Sequence, residues 1–254
     1  MQIDLTGKNV LITGGARGIG RIISLTLAQS GARIGAIYRS DNSAAERTLA
    51  ELHALPNPVD HFMLQADITD EQAVERAIQA AQERFGGAID FLILDAAQGT
   101  YGELASTSTE DWMRAFDTNV HGAFFVVRAA TPYLQRGGSV VFISSGAGHD
   151  PLEGLSAYGA SKAAVNHLST VLAQELGQRG VRVNVVSPGS TDKSGTDPNT
   201  DPESYTEKQR GIITTTALRR LGTAQDVANV VLFFVSDLST FVTGQWVRVN
   251  GGRL

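Results

Sequence analysis

Short apolar segments alternate along this chain with longer amphipathic ones, and this alternation restricts the possible folds more than any other feature. It is typical of repeated strand–helix–strand units, whose strands lie parallel in one sheet. The apolar segments are rich in Val, Ile, Leu and Phe, as expected for strands covered on both faces. Strands are predicted at Asn9–Thr13, Arg33–Tyr38, His61–Ala66, Phe91–Leu94, Ser139–Ser144, Arg182–Val186 and Trp246–Val249.

Helices are predicted in the intervals between these strands. The sequence Thr109-Glu-Asp-Trp112 is typical of a helix start, because its hydroxyl can cap the first turn and its acidic side chains suit the positive helix end. The predicted helices cover Gly18–Gln29, Ala44–Ala54, Glu71–Glu83, Thr109–Gln135, Ala157–Gln178 and Ala224–Ser236.

Composition narrows the class of protein further. With 254 residues, 42% of them hydrophobic, the chain can bury a sizeable core, and we expect one domain over residues 1–254. A net charge of −5 argues against nucleic-acid binding. The absence of cysteine excludes disulfides and thiolate metal sites, and no metal is expected. Neither a signal peptide nor an apolar run long enough to span a bilayer is present, so we expect a cytoplasmic protein.

One polar segment, Ser190 to Arg210, interrupts the alternation. It is rich in Thr, Asp, Pro and Ser and is too long for an ordinary connection. It is either a surface loop or a lid over a site, and loops of this length in compact domains favour the lid.

A glycine-rich loop, Thr13-Gly-Gly-Ala-Arg-Gly-Ile-Gly20, follows the first predicted strand and opens the first helix. Gly14, Gly18 and Gly20 remove side chains where the backbone must approach a ligand, while Ile19 lies at the helix start. The helix N-terminus directs N–H groups and a positive dipole end to the same place. The loop therefore predicts a pyrophosphate site of a dinucleotide, with a tight turn that binds nothing as the alternative.

The end of the second strand bears on the choice of dinucleotide. An acidic residue there would bind the ribose hydroxyls of NAD, but this chain has Tyr38-Arg39-Ser40. Arg39 offers a guanidinium suited to a 2′-phosphate; Arg17 can reach the same group, and Ser40 can donate a hydrogen bond. These residues predict NADPH/NADP+, unless the two arginines are simply solvated.

Tyr158 and Lys162 share one face of a predicted helix, and Ser145 precedes them. An ammonium group beside the phenol is expected to lower the pKa of the tyrosine and make it a usable acid or base. The serine hydroxyl can hold a carbonyl oxygen. The three residues suit proton exchange with an alcohol or ketone.

Taken together, these motifs resemble the short-chain dehydrogenase/reductase superfamily over essentially the whole chain. The motifs, in order, are the glycine loop, Asp67-Ile68-Thr69, Asn119-Val-His-Gly122, Ser145, Tyr158 with Lys162, Asn184 with Ser187-Pro-Gly189, Arg220-Leu-Gly222, Thr243-Gly-Gln245 and Asn250-Gly-Gly252. The resemblance implies a Rossmann-like α/β fold: a doubly wound, seven-stranded parallel sheet of order 3-2-1-4-5-6-7 with helices on both faces.

The resemblance also implies a role for each matching residue. Tyr158 is expected to be the acid/base, Ser145 to orient the substrate carbonyl, and Lys162 to bind the nicotinamide ribose and tune Tyr158. Asn119 is expected to anchor a water that relays protons to Lys162. The cofactor contacts implied outside the glycine loop are Asp67 and Ile68 at the adenine, Ala96 beside the cofactor, Pro188 and Gly189 around the nicotinamide, and Ser190 or Thr191 at its carboxamide.

The chain departs from the family pattern at three places. The usual Asn-Asn-Ala-Gly after the fourth strand is Leu94-Asp-Ala-Ala97 here, so either the strand shifts or the loop Gln98-Gly-Thr100 compensates. Lys193 stands where the family often has threonine, and Asn250 where aspartate is common.

The function implied is NADPH-dependent reduction of a small-molecule ketone, similar to 3-oxoacyl-thioester reductases, with a carrier- or CoA-bound substrate as one form. An NAD(P)-dependent alcohol or dihydrodiol dehydrogenase is the alternative, and a non-catalytic dinucleotide-binding regulatory protein is a more distant one. The substrate wall is expected from 98–102, 146–155 and the lid; His149 there either bonds a substrate oxygen or, as we favour, is solvated. The resemblance further implies a homotetramer.

Overall fold

A seven-stranded parallel sheet forms the centre of the protein in the computed structural model, which describes residues 3–56, 59–192 and 206–253. Its strand order is β3-β2-β1-β4-β5-β6-β9, which confirms the predicted doubly wound sheet. The strands of the sheet are β1 (Asn9–Thr13), β2 (Arg33–Tyr38), β3 (Phe62–Gln65), β4 (Ile89–Leu94), β5 (Leu134–Ile143), β6 (Arg182–Pro188) and β9 (Trp246–Val249); β7 (Thr191–Asp192) and β8 (Gly222–Thr223) form a small second sheet.

Helices lie on both faces of the sheet. They are α1 (Gly18–Gln29), α2 (Asn42–His53), α3 (Glu71–Phe85), α4 (Thr109–Phe116), α5 (Ala123–Ala130), α6 (Ser156–Gly177), α7 (Glu207–Thr215) and α8 (Ala224–Val235). The bounds of β1, β2, β9 and α1 match the prediction. In the part of the chain that is described, no helix is both long and apolar enough to cross a bilayer.

Two apolar cores result from this arrangement, one on each face. Phe62 and Phe142 belong to the core beneath α3, α5 and α6, whereas Ile12 and Phe234 belong to the core beneath α1, α2 and α8. These four side chains are essentially inaccessible to solvent. Burial of each large apolar side chain contributes about 1.5–3 kcal/mol, so the sheet is held from both sides.

The predicted helix Thr109–Gln135 is confirmed as a helical path as far as Tyr133, but it is not one regular α-helix. A wider, π-helical turn at Asp117–Gly122 separates α4 from α5, and the helical path ends in a short turn at Thr131–Tyr133. Pro132 has no N–H to continue a helix, and β5 begins at Leu134, five residues before the predicted strand.

Part of the polar segment 190–210 is regular structure. Ser190 is followed by β7, and α7 begins after a capping box in which Thr206 and Gln209 bind each other's backbone N–H. The sequence reading missed this helix, because its residues are mostly polar. Residues 193–205, including Lys193, lie outside the described residues. One domain over 1–254 and a lid at 190–210 stay predictions.

The start of α8 is fixed by a charged cap. The Arg220 guanidinium donates two hydrogen bonds to the Asp226 carboxylate, with N···O distances of 2.6 and 2.9 Å. Thr223 donates its backbone N–H to the same carboxylate at 2.8 Å. The hydrogen bonds from Arg220, more than those from Thr223, lower the pKa of Asp226 to about 2 against an ordinary value of 3.8. The carboxylate form is therefore the one that stabilises the fold.

We expect Asp226→Ala to lower the free energy of unfolding by about 1–2 kcal/mol at neutral pH. The substitution removes both the hydrogen bond from Thr223 at the helix start and the ion pair with Arg220. The native pKa lies below the unfolded one, so this stabilisation is complete above about pH 4 and is lost as the pH falls towards 2. Urea denaturation across this range measures it. Glu110→Ala, which removes an exposed ion pair, is the control. A wild-type advantage that did not shrink in acid would contradict the assignment.

Candidate active site

The carboxyl ends of β1, β4, β5 and β6 lie along one edge of the sheet, because these neighbouring strands are all parallel. Thr13 pairs with Leu94 in register, and Leu94 pairs with Phe142. The segments that leave these strands are the glycine loop, the 95–99 loop, Ser145 and Gly189. Residues far apart in sequence therefore meet at one edge, where α/β proteins of this topology bind ligands.

The glycine loop has the geometry of an anion site. Gly14 has φ 75°, and a Cβ there would lie 3.0 Å from the backbone N of Ala96; at Gly20 it would lie 2.3 Å from the Gly14 carbonyl oxygen. Gly18 has φ 56°, yet a Cβ there would meet nothing within 4 Å, so this glycine faces open space. The Arg17 side chain does not cap α1, which leaves the first-turn amides of Gly18, Ile19 and Gly20 to a ligand. The loop thus fits a dinucleotide pyrophosphate.

Arg17, Arg39 and Ser40 are all exposed near the loop side of the sheet. Within the described residues, neither arginine side chain forms an ion pair, so both guanidinium groups can meet a phosphate. Gln65 donates its side-chain amide to the Arg39 carbonyl oxygen at 3.1 Å, which fixes the backbone at this point.

The predicted adenine contacts follow β3. The Asp67 carboxylate accepts hydrogen bonds from the backbone N–H and hydroxyl of Thr69, at 3.0 and 2.9 Å, and so closes a local turn. Ile68 is buried against Gly122, where a Cβ would lie 2.8 Å from the isoleucine side chain. This close contact explains why glycine ends the π-helical turn.

Tyr158 is half-buried on α6 and forms a side-chain hydrogen bond with Ser145. Burial raises the pKa of Tyr158 above 10; the bond to Ser145 lowers it, and the negative charge of Asp95 raises it again. The net direction is upward, so the expected lowering of this pKa is wrong: burial disfavours the phenolate more than its neighbours favour it. The phenol keeps its proton at neutral pH.

Lys162 lies almost fully buried one turn further along α6. Its Nζ donates to the Ile143 carbonyl oxygen at 2.8 Å and lies 5.8 Å from the centroid of the Tyr158 ring. The bond to the end of β5 fixes the ammonium group at the carboxyl edge. Lys162 and Tyr158 are therefore neighbours on α6, while the predicted approach of the ammonium group to the phenol oxygen stays a prediction.

Asn119 connects the 95–99 loop to α6. Its Oδ1 accepts the Gln98 N–H at 2.8 Å, while its Nδ2 donates to the Gln98 carbonyl at 3.0 Å and to Ser161 Oγ at 2.9 Å. Ser161 in turn donates to the Tyr158 carbonyl at 2.7 Å. Sequence reasoning missed Ser161, although its place between Tyr158 and Lys162 was a signal. The predicted water relay through Asn119 stays a prediction.

Asp95 follows β4 where the family pattern has asparagine, and this change does not shift the strand. The last residue of β4, Leu94, keeps its partners in β1 and β5. Ala96 donates its N–H to Thr13 Oγ1 at 3.2 Å. The Asp95 carboxylate lies against α1: its Oδ2 would be 2.6 Å from a Cβ on Gly20. A negative charge thus sits between the glycine loop and Tyr158, near the positive end of a helix that favours it.

The His149 side chain contacts other side chains of the protein, so the favoured prediction, that it is solvated, is wrong. Its Nε2 lies 3.0 Å from Ser187 Oγ, and its ring centroid lies 5.3 Å from that of Trp246. Asp150 pairs with Arg248 at 3.2 Å. These contacts tie the loop after Ser145 to β6 and β9.

The end of β6 closes the other side of the site. Gly189 donates its N–H to the Val249 carbonyl at 2.9 Å, and a Cβ on Gly189 would lie 2.8 Å from the Asn250 side chain. Thr191 donates its hydroxyl to the Gly189 carbonyl at 3.1 Å. Pro188, the last residue of β6, has its carbonyl oxygen 3.7 Å from where a Cβ on Gly146 would lie, so the two walls meet.

The doubly wound sheet, with a glycine-rich loop and a protonated phenol on segments at its carboxyl edge, is the arrangement of a nicotinamide-dependent oxidoreductase. A sequence model described as enoyl-(acyl carrier protein) reductase matches residues 14–253. The chain therefore belongs to the short-chain dehydrogenase/reductase family, whose members bind a nicotinamide cofactor.

Relatives of known name cover nearly the whole chain. The 3-oxoacyl-[acyl-carrier-protein] reductase FabG of Staphylococcus aureus is 35% identical over 96% of this chain and 97% of that enzyme. A short-chain dehydrogenase from Burkholderia cenocepacia in complex with NADP is 33% identical, with a TM-score of 0.89 and 98% of both chains covered. A blue fluorescent protein from a metagenomic library, in complex with NADPH, is 31% identical, with a TM-score of 0.88 and again 98% of both chains covered.

We expect Asp95→Asn to lower the pKa of Tyr158, because it removes a negative charge that disfavours the phenolate. Ultraviolet titration of the phenolate measures it, and subtraction of the Tyr158→Phe titration isolates the signal of this tyrosine. Asp150→Asn, whose carboxylate pairs with Arg248, is the matched control. An unchanged or raised pKa in Asp95→Asn would show that this carboxylate does not act on Tyr158.

Proposed function

We propose that this protein is an NADPH-dependent oxidoreductase that reduces a ketone to an alcohol. The observation that carries the proposal is the Tyr158 phenol, which is half-buried, bears a proton and is hydrogen-bonded to Ser145. A group that retains its proton at neutral pH can donate it to an oxygen on which negative charge develops. The glycine loop, at the same edge of the sheet, would hold the second reactant, which is the nicotinamide cofactor.

The cofactor would be held by residues at three places along this edge. Gly14, Gly18, Ile19 and Gly20 would bind the pyrophosphate, with Arg17, Arg39 and Ser40 at the 2′-phosphate. When bound, the cofactor supplies the hydride. The remaining contacts would come from Asp67, Ile68, Ala96, Pro188, Gly189, Thr191, Tyr158 and Lys162.

Four side chains would carry out the protein's part of the reaction. Tyr158 donates its proton to the carbonyl oxygen, and the Ser145 hydroxyl donates a hydrogen bond to the same oxygen as its negative charge grows. Lys162, whose Nζ is fixed by the Ile143 carbonyl near the tyrosine ring, would bind the nicotinamide ribose. Asn119 holds the 95–99 loop against α6, and so sets the distance between the two halves of the site.

The direction of the reaction distinguishes this proposal from its alternative. An alcohol or dihydrodiol dehydrogenase would use Tyr158 as a base, whereas the reductase uses it as an acid. Two of the similar structures hold NADP or NADPH, which supports the phosphorylated cofactor. The likeness to FabG supports a 3-oxoacyl substrate, carrier- or CoA-bound. The set Asn119, Ser145, Tyr158 and Lys162 argues against a non-catalytic regulatory protein.

We also propose a cytoplasmic homotetramer. Met113 on α4, Phe124 on α5 and Val171 on α6 are apolar side chains of which 42–47% of the surface is exposed. Pairing these helices across two-fold axes would cover them. Light scattering at micromolar concentration tests the assembly, and a stable monomer would refute it.

The reductase activity itself is tested by loss of NADPH absorbance with a panel of ketones, keto esters and 3-oxoacyl thioesters. Tyr158→Phe should lower kcat by about 10²–10⁴-fold, since it removes the proton donor. Its affinity for NADPH, followed by nucleotide fluorescence, should change little. Tyr133→Phe, in the turn before β5, is the control. Equal turnover by wild type and Tyr158→Phe would remove Tyr158 from the mechanism.

Cofactor choice has its own test. We expect the wild type to prefer NADPH to NADH in kcat/KM, and Arg39→Asp to reverse or abolish that preference through a loss of roughly tenfold or more with NADPH. The control is Arg76→Asp, which makes the same change of charge at an exposed position on α3. A native preference for NADH would contradict the assignment of Arg17 and Arg39.

A further inference from the structure

The turn that follows β5 carries Ser145 at one end and His149 at the other. Ser145 Oγ accepts the Ala147 N–H at 3.2 Å, and the Ser145 carbonyl oxygen accepts the Gly148 N–H at 3.0 Å. The Gly146 carbonyl oxygen accepts the His149 N–H at 2.9 Å. Residues 145–149 thus form one hydrogen-bonded unit, the Ser145 turn, in which the place of His149 constrains that of Ser145.

The Ser145 turn packs directly on α6, the helix that carries the proton donor. A Cβ on Gly159, the residue after Tyr158, would lie 2.7 Å from the Ala147 carbonyl oxygen. A Cβ on Gly148 would lie 3.0 Å from the Lys162 carbonyl carbon. Because glycines leave no side chain in between, the turn and the helix are in backbone contact next to Tyr158.

The His149 side chain has polar neighbours on two other elements. Its Nε2 lies 3.0 Å from Ser187 Oγ on β6 and 3.3 Å from Asn166 Nδ2 on α6. The same Nδ2 donates to the Gly148 carbonyl oxygen at 3.3 Å. The Ser187 and Asn166 side chains are both buried. His149 therefore joins the end of the Ser145 turn to α6 and to β6.

These contacts require an Nε2 that bears no proton. The Gly148 carbonyl oxygen can only accept, so the Asn166 amide must present its donor, Nδ2, on this side. A donor on Asn166 needs an acceptor on His149, and the Ser187 hydroxyl can donate to the same nitrogen. A proton on Nε2 would face the amide N–H groups, and the hydrogen bond between His149 and Asn166 would be lost.

Two charged groups lie near His149, and they pair with each other. Asp150 is the next residue of the chain and Arg248 belongs to β9, and their side chains are 3.2 Å apart. The partners on α6 and β6 and the Trp246 ring carry no charge. Burial, and then the charge of Arg248, lower the pKa of His149 from its ordinary value of 6.5, while the charge of Asp150 opposes this. At neutral pH the side chain is therefore in the form that the hydrogen bonds require.

We propose that neutral His149 is a positioning residue for the reaction, whose Nε2 holds the Ser145 turn so that Ser145 can bond the Tyr158 phenol. The inference rests on the proposed reductase function and concerns the geometry of its proton donor. A second consequence is an acidic limit of the activity, because a protonated His149 releases Asn166 and with it the end of the Ser145 turn.

The first test is the pH dependence of kcat from about pH 5 to 8, at saturating NADPH and ketone. In the wild type kcat should fall only below pH 6.5, because the pKa of His149 lies beneath that value. His149→Gln should keep kcat near the wild-type value at neutral pH and abolish the fall, since its side-chain oxygen accepts as Nε2 does and does not titrate. His167→Gln, at an exposed position on α6, is the matched control and should keep the fall. No fall in the wild type, or a fall that survives in His149→Gln, would overturn the proposal.

A second test separates positioning from damage to the cofactor wall. His149→Leu should lower kcat by about tenfold, the value of one hydrogen bond in a buried site, and leave the Kd for NADPH unchanged. His149→Gln should restore kcat. A loss of NADPH affinity as large as the loss of kcat would assign His149 to the wall at Pro188 and overturn the proposal. If His149→Leu does not fold, the pH profiles of the wild type and His149→Gln decide alone.

The proposal and the function on which it rests fail in different ways. A ketone reductase whose pH profile ignores His149 overturns the positioning role and leaves the function intact. If no ketone is reduced, the proposed function fails, and ultraviolet titration of the Tyr158 phenol decides the positioning role. The bond to Ser145 lowers the pKa of Tyr158, so His149→Leu should raise that pKa by about half a unit to one unit, and His149→Gln should not. Each titration is corrected with the same variant carrying Tyr158→Phe. Equal pKa values of Tyr158 in the wild type and His149→Leu would overturn the positioning role.

Discussion

Parallel strand pairing is the constraint on which the rest of this structure depends. Because β1, β4, β5 and β6 run in the same direction, everything that leaves their carboxyl ends meets at one edge of the sheet. The glycine loop, Asp95, Ser145 and Pro188 are brought together in this way although they are distant in sequence. The two apolar cores hold the sheet from both faces and keep this edge in place.

Polar contacts then link the two halves of the site. Asn119 holds the 95–99 loop by two backbone hydrogen bonds and reaches α6 through Ser161, which bonds the Tyr158 carbonyl. The π-helical turn at Asp117–Gly122 is what carries Asn119, and Gly122 allows that turn to pack on Ile68. The position of the proton donor thus depends on a wider helical turn in a neighbouring element.

The resemblance to the family implied the sheet order, while several element bounds were predicted from apolar periodicity and glycine placement, which are local signals. Sequence reasoning failed where tertiary context decides. Pro132 was visible, yet the helix was extended beyond it; α7 was missed, since its face is weakly apolar. The sign of the Tyr158 pKa shift was wrong because burial and the Asp95 charge are properties of the folded chain. His149 packs on Ser187 and Trp246, two partners that no spacing indicates.

The central claim is that Tyr158 protonates a ketone while the cofactor at the glycine loop reduces it. The most direct measurement uses NADPH deuterated at C4 on the transferred face, a ketone substrate, and mass spectrometry with NMR of the product. The account predicts one deuterium, on the carbinol carbon of the alcohol, in the wild type, and almost no labelled product with Tyr158→Phe. NADPH oxidation that leaves the alcohol unlabelled at that carbon, or no oxidation with any ketone, would contradict it.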